Sequence, residues 1–327
     1  MIISRTPYRI SLFGGGTDYP QWYTQHGGAV LGMTIDKYSY ISVRYLPPVF
    51  DHKYRIIYAK NEMVEDIRDI QHPAVRAVLS EMQFTEGLDI HYNGDLPARS
   101  GLGSSSTFTV GLLHALHALR GQMISKQQLA EEAIRIEQEV IVENVGSQDQ
   151  IWAAYGGLNR IDFHQDGRFS VQPVTISRVR ERELLDHVML FFTGISRYAS
   201  DIAKHKIENL SKRERQLHEM RSIVDQAQNI LTSASPMAEM GELLHTSWQL
   251  KRELAAPVSS DTIDDIYTAG REAGAIGGKL LGAGGGGFIL FLVPPEKQDQ
   301  VRQRLSTLIE VKVDIDTSGS NIMVYLP

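Results

Sequence analysis

The sequence predicts an α+β fold built as two lobes, on three observations. Its first half reads as strands, with helical periodicity entering after residue 103. Helices and strands then recur in the second half without regular βαβα alternation, which argues against a doubly wound parallel sheet. The length, 327 residues, also exceeds the roughly 250–300 at which single cores stop growing.

The elements follow from periodicity. Ile41, Val43 and Tyr45 alternate with polar positions, as do Leu88, Ile90 and Tyr92, which suits strands with one buried face. Phe108, Leu112, Leu116 and Leu119 recur at helical spacing, and so do Leu129, Ala133, Ile136 and Val140, predicting two successive amphipathic helices over the sheet. Gly156-Gly157 ends that region; Leu158, Ile161 and Phe163 then read as a strand, and Asp166-Gly167 as a hairpin turn. A boundary within 175–185 divides an N-terminal lobe, 1–180, from a C-terminal lobe, 181–327. The second lobe starts with a buried strand, Val188 to Phe192. A charged helix from about Ser200 to Thr232 follows, then helices over Glu239–Leu254 and Thr262–Ala273. Phe288–Val293 is a continuous apolar strand, Val311, Val313 and Ile315 alternate, and Ile322, Val324 and Leu326 close the chain. Tyr54, Ile56, Ile57 and Tyr58 read as a core strand, with a wall for a nucleobase as the alternative.

Composition narrows the function classes. With 33 Lys+Arg against 39 Asp+Glu, the net charge of -6 disfavours a general nucleic-acid binder, which needs a basic excess to displace counterions. There is no cysteine, so disulfides, thiolate zinc sites, iron–sulfur clusters and cysteine nucleophiles are excluded, and a cytoplasmic location is expected. Met1 to Pro7 lacks a secretory pattern, and no apolar run approaches the roughly 20 residues of a membrane span. His114 and His117 lie three apart on a helix but lack a third ligand for structural zinc. Lys204 to Arg221 is interspersed with acids and reads as a solvated helix face.

Three glycine-bearing segments remain. Pro97-Ala98-Arg99-Ser100-Gly101-Leu102-Gly103-Ser104-Ser105-Ser106 joins a strand to a helix. Its glycines allow close backbone approach, the helix start offers unpaired N–H groups, and its hydroxyls add donors, which together suit a polyphosphate. The lysine of a P-loop is absent, and no Gly-x-Ser-x-Gly elbow is present. A second segment runs from Pro7 to Tyr19 and sets Arg9, Gly14-Gly15-Gly16 and Asp18 within ten residues. The third, Gly277 to Phe288, carries Lys279 and a glycine run leading into the apolar strand; it is either a flexible turn or a place of close approach.

Together these segments resemble the GHMP small-molecule kinases, over nearly the whole chain. The superfamily's signature Pro-x-x-x-Gly-Leu-Gly-Ser-Ser followed by a small residue is reproduced at 97–106, in the family's order relative to the other two motifs. Leu-Phe-Gly-Gly-Gly-Thr-Asp, Gly-Ser-Gln-Asp-Gln and Phe-Thr-Gly-Ile-Ser-Arg look most like the D-glycero-D-manno-heptose 7-phosphate 1-kinases, with fucose-type kinases as relatives. Where galactokinase has Gly-Glu-His-Thr-Asp, this chain has Gly14-Gly15-Gly16-Thr17-Asp18, which makes room for a larger acceptor than galactose.

The resemblance implies a two-lobed GHMP kinase fold with nucleotide and acceptor in the cleft, ATP as donor and Mg2+ as its companion. Its partners are then a sugar or sugar phosphate and ATP, for a monomer or homodimer with no nucleic acid or membrane. Pro97, Ser100, Gly101, Leu102, Gly103, Ser104, Ser105 and Ser106 would bind nucleotide; Ser104 or Ser105 with Glu137 would hold the metal. Asp149 would act as base for the acceptor hydroxyl or only orient it, with Arg9 keeping it ionised and stabilising transferring charge. Gly14, Gly15, Gly16, Thr17 and Asp18 would hold the acceptor, together with Gly194, Gly284 and Gly285, and Arg197 would take a distal sugar phosphate. The implied reaction turns a heptose 7-phosphate into a 1,7-bisphosphate; the alternatives are a fucose- or galactose-like 1-kinase and a non-catalytic ATP and sugar sensor.

Overall fold

The alternating apolar positions of the first half form strands, and one of them is long enough to organise the lobe. The structure is a computed structural model and describes residues 1–195, 199–255 and 258–327. The first strands are β1 (Ile2–Phe13), β2 (Gly28–Tyr45), β3 (Tyr54–Ile57), β4 (Asn61–Val64), β5 (Leu88–Gly94), β6 (Leu158–Phe163) and β7 (Phe169–Pro173). β2 serves two partners on one edge, with Gly28–Met33 against β6 and Ser39–Tyr45 against β5, while β1 runs antiparallel along its other edge. The second half supplies β8 (Val188–Phe192), β9 (Gly277–Leu280), β10 (Phe288–Leu292) and β11 (Ile309–Glu310), in the antiparallel order β11-β8-β10-β9. The last strand, β12 (Asn321–Tyr325), crosses back to pair with β1, completing an eight-stranded sheet ordered β12-β1-β2-β5-β3-β4, with β6 on β2 and β7 on β6.

The helices are α1 (Pro20–His26), α2 (Pro73–Glu81), α3 (Ser104–Leu119), α4 (Lys126–Arg135), α5 (Gln148–Tyr155), α6 (Arg178–His187), α7 (Ala199–Asn209), α8 (Glu214–Thr232), α9 (Met237–Leu254), α10 (Asp261–Glu272) and α11 (Gln298–Arg304). α3 is buried along nearly its whole length because it lies on β1 and β2 with α4 and α5 behind it. Among the described residues no helix is long and apolar enough to cross a membrane.

β10 explains its own unbroken apolar run. Phe288, Leu290 and Leu292 enter the large core shared with the first sheet, whereas Ile289 and Phe291 enter a second cluster with Trp248, Val258 and Tyr267. A strand buried on both faces loses the polar alternation that one solvated face would impose.

Two expectations change and one alternative is decided. The charged helix is broken: α7 ends at Asn209, whose side-chain amide donates to the His205 carbonyl (2.9 Å), and a short 3-10 turn over Leu210–Lys212 redirects the chain into α8. Such local bonding competes with helix propagation without needing proline or glycine. The alternating Val311–Ile315 segment is not a strand. The Val311 amide donates to the Leu190 carbonyl in the second sheet (2.8 Å), and Ile315 bridges to Ile35 in the first, so the segment passes between sheets. Tyr54 and Ile56 are buried in β3, which makes that segment a core strand.

Between the sheets, backbone meets backbone. The Phe288 amide donates to the Ser100 carbonyl (2.9 Å). A Cβ on Gly101 would stand 2.7 Å from the Leu281 carbonyl oxygen, and one on Gly282 2.6 Å from the Gly101 Cα. Both residues have positive φ, +83° and +68°. Gly167 has a similar φ, +85°, but open space around it. Gly167→Ala is therefore expected to cost about 1 kcal/mol for conformation alone, and Gly282→Ala distinctly more; urea denaturation of both checks this, and equal costs would contradict the interlock.

Candidate active site

The loop from Pro97 to Gly103 leaves β5 and opens α3. Arg99, Gly101 and Gly103 all have positive φ, at 60°, 83° and 77°. Left-handed residues at alternate positions turn successive N–H groups towards one concavity. Leu102 is fully buried and anchors the loop, its carbonyl accepting from the Arg9 amide at 3.1 Å. The N-cap of α3 is Gly103, which offers no side-chain cap, so the first N–H groups of the helix remain available to an anion. The Ser104 hydroxyl accepts the Arg99 amide (3.0 Å), Ser105 is exposed, and Ser106 is buried facing inward.

Beneath Gly103 lies the pair that the sequence singled out. Arg9 Nε donates to Asp149 Oδ1 (2.8 Å) and Nη2 to Oδ2 (2.7 Å), while Nη1 donates to the Gly101 carbonyl (2.7 Å). The guanidinium thus clamps the carboxylate with one side of its fork and the loop with the other. A Cβ on Gly103 would reach Arg9 Cγ at 3.3 Å and Asp149 Oδ2 at 3.4 Å, so the glycine lets the helix start close over the pair. The Arg9 side chain is 5% exposed and that of Asp149 25%, which leaves the carboxylate open on one side.

The first turn of α5 distributes the rest of the site. Successive helical residues point about 100° apart, and three in a row reach three elements. Gln148 Nε2 donates to Asp18 Oδ2 (2.7 Å) and its Oε1 accepts from the Ser11 hydroxyl (2.7 Å). Asp149 meets Arg9, and Gln150 Nε2 donates to Glu137 Oε2 (2.5 Å).

Asp18 is 2% exposed. Burial pushes its carboxyl above the usual range, opposed by the Gly16 amide and reinforced by Asp149 nearby. Its backbone carbonyl accepts the Ser147 amide (2.9 Å), and Gly146 packs directly on its carboxylate. The other members of this segment divide. Thr17 is fully buried with its hydroxyl between the Gly14 and Ala29 carbonyls, both at 2.9 Å, so it closes the turn and does not face a ligand. Gly14 packs against the Ala29 carbonyl and Gly16 against Leu217 and Leu254; Gly15 looks onto Gln148 and Ser11.

Glu137 sits in a π-helical turn, Ile136–Val140, that continues α4. The wider turn rotates a fully buried carboxylate towards α3. Burial pushes it up to about 7, opposed by the hydroxyls of Thr109 and Ser106 and reinforced by Glu143. The hydroxyl that bonds it is that of Ser106 (2.8 Å), not of Ser104 or Ser105, because only Ser106 faces inward from the first turn. Glu137 Oε1 lacks a close hydrogen-bond partner, since the nearby Thr109 hydroxyl donates to the Ser105 carbonyl (3.3 Å). An orphaned carboxylate oxygen beside a hydroxyl at the phosphate loop fits a hard divalent cation.

Other expected members stand apart. Gly284 packs on Val258 and the Gly285 amide donates to the Val258 carbonyl (3.0 Å), so both support the glycine run. Gly194 is exposed with nothing within 4 Å of a Cβ there, and Arg197 lies outside the described residues. Conversely, Ser11, Gln148 and Gln150 join the site unannounced. Three lysines, Lys206, Lys251 and Lys279, are also buried, at 5%, 4% and 3% exposure; Lys251 Nζ donates to the Leu280 and Gly282 carbonyls and Lys279 Nζ to the Leu12 carbonyl.

The comparisons agree with this geometry. The GHMP kinase N-terminal domain matches residues 69–157 and the C-terminal domain residues 226–310. A D-glycero-alpha-D-manno-heptose 7-phosphate kinase of Campylobacter jejuni subsp. jejuni is 31% identical over 308 residues, 91% of each chain. A D-glycero-D-manno-heptose 1-phosphate kinase from Bacteroides thetaiotaomicron shares the fold at a TM-score of 0.82 over all of both chains, with 21% identity. Lactococcus lactis galactokinase complexed with galactose does so at 0.74 over 98% of this chain and 94% of that one, with 19% identity. Both family domains in order, and a relative aligned along nearly its full length, establish that the chain belongs to the GHMP kinases, phosphotransferases acting on a hydroxyl group.

Proposed function

We propose that this kinase transfers the γ-phosphoryl group of ATP, with Mg2+, to the anomeric hydroxyl of a heptose 7-phosphate, giving the 1,7-bisphosphate. The observation that carries it is the Arg9–Asp149 pair, held under the uncapped start of α3 and one helical residue from the Gln148–Asp18 contact. The heptose 7-phosphate kinase among its relatives favours that acceptor. ATP as donor also fits the cytoplasmic location expected from composition.

The chain's own groups account for each part of the transfer. N–H groups at the start of α3 and along its loop hold the phosphates. Glu137 and Ser106 would hold Mg2+, with phosphate oxygens and water as its further ligands. When bound, the metal neutralises phosphate charge. Asp18, fixed by Gln148 and the Gly16 amide (2.8 Å), accepts acceptor hydroxyls. Asp149 receives the proton of the anomeric hydroxyl as its oxygen bonds the γ-phosphorus and the bond from that phosphorus to the β,γ-bridging oxygen breaks, releasing ADP; the proton then passes to solvent. Arg9 holds both oxygens of Asp149 in place and faces the transferring charge. The glycines at 15 and 16 leave the acceptor side free of the side chains galactokinase places there.

Turnover is read as acceptor-dependent ADP release with heptose 7-phosphate, the unphosphorylated heptose, fucose and galactose. Preference for either of the last two would overturn the heptose assignment. Asp149→Asn is expected to lower kcat at least about 1000-fold with ATP affinity within about threefold. Because Arg9 is buried, it also loses about 1–3 kcal/mol of stability; near-normal turnover would remove Asp149 from the chemistry and favour a binding-only protein.

Glu137→Gln separates metal binding from folding. Glu137 holds its proton more tightly folded than unfolded, so ionising it opposes the fold, and stability falls as pH rises from the ordinary carboxylate range to about 7. The amide escapes that penalty. Metal-free Glu137→Gln is expected to be more stable than the parent at pH 8, by roughly 3 kcal/mol at most, with the gap closing towards pH 5. The same variant needs at least about tenfold more Mg2+ for half-maximal rate; calorimetry and a metal titration check both.

A further inference from the structure

The site holds one buried oxygen that the mechanism does not use. Gln150 is fully buried in the first turn of α5. Its Nε2 donates to Glu137 Oε2 (2.5 Å), yet its Oε1 has no hydrogen-bond partner among the described residues. Glu137 shows the same division. Its Oε2 accepts both that amide and the Ser106 hydroxyl (2.8 Å), whereas its Oε1 accepts neither.

Two buried acceptors on side chains bonded to each other thus lack a donor. Turning the amide over does not relieve this, because its oxygen would then stand 2.5 Å from the carboxylate oxygen with no proton between them. An acceptor left alone in the interior is costly, so a partner belongs there. The two heteroatoms of a carboxamide share one carbon, which keeps Gln150 Oε1 within about 5 Å of Glu137 Oε2. One hydrated ion spans such a gap. Mg2+ binds oxygen at about 2.0–2.1 Å and keeps several of its waters, and a metal polarises the O–H bonds of a water it holds, which makes that water a strong donor.

We propose that Gln150 is a positioning residue of the metal site. Its amide nitrogen, with Ser106, occupies Glu137 Oε2 so that Oε1 is the oxygen presented to Mg2+, and its own oxygen accepts a hydrogen bond from a water on that ion. This rests on the reading of Glu137 as a Mg2+ ligand above. Because Asp149 and Gln150 are consecutive, the same helical turn then sets the spacing between the reacting carboxylate and the metal.

Calorimetry at pH 8 with a non-hydrolysable ATP analogue, with Mg2+ or with a chelator, tests this without an acceptor or turnover. Gln150→Met fills the space and removes both ends of the amide. The factor by which Mg2+ strengthens analogue binding should fall at least about tenfold, while metal-free affinity stays within about threefold, which reports an intact phosphate loop. Gln150→Glu keeps an oxygen for the water and sets a second carboxylate beside the first. It should retain that factor within about threefold or exceed it, and Mg2+ with the analogue should raise its Tm more than the parent's, because the ion relieves the repulsion. In turnover, Gln150→Met should need at least about tenfold more Mg2+, with its acceptor KM within about threefold once Mg2+ saturates. An unchanged factor in Gln150→Met would leave a trapped water as the partner of both oxygens and overturn the proposal. Equal losses in both variants would mark a packing role and overturn it too. If Mg2+ does not strengthen binding in the parent, the metal reading of Glu137 falls and the proposal with it. A parent that binds the analogue with Mg2+ but does not phosphorylate heptose 7-phosphate loses only the heptose assignment, and the calorimetric comparison still decides the role of Gln150.

Discussion

The two-pronged contact between Arg9 and Asp149 is the constraint around which the site is arranged. A buried guanidinium needs a partner, and the Asp149 carboxylate supplies one with both of its oxygens. That contact, made between β1 and α5, holds the carboxylate under the start of α3. The third donor of Arg9 goes to the Gly101 carbonyl, so the group that holds the acid also holds the loop over it. Positioning of this kind is most of what phosphoryl transfer asks of a protein.

One helical turn carries this constraint outward. Gln148, Asp149 and Gln150 are consecutive, and each ties α5 to a different part of the chain: Asp18 beyond β1, Arg9 on β1, and Glu137 in the π-helical turn after α4. The second sheet is registered to the same centre by backbone contact at Gly101 and Gly282 and by Lys279, whose ammonium crosses to the Leu12 carbonyl.

Much of this was legible in the sequence. The strands of the first half followed from alternation, and the loop at 97–106 from glycines and serines before a helical period. Arg9, Asp149, Asp18 and Glu137 came from a family resemblance, and the structure brings all four together. The misreadings share a cause: periodicity reports which face of an element is buried, not what buries it. Val311 to Ile315 alternates as a strand would, yet its partners lie in two different sheets. The glycine run at 282–287 signalled close approach, and among the described residues the loop before α3, Val258 and Ile195 pack against it. Lys206 was hidden in a charged stretch, although Ile202, Lys206 and Leu210 recur at helical spacing and so put it on a buried face.

A complex of the protein with a non-hydrolysable ATP analogue, Mg2+ and heptose 7-phosphate tests the central claim most directly. The predicted result is a γ-phosphorus seated at the start of α3, with the anomeric oxygen between it and the Asp149 carboxylate. A nucleotide bound elsewhere, or an anomeric oxygen remote from Asp149 with the γ-phosphate in place, would contradict it.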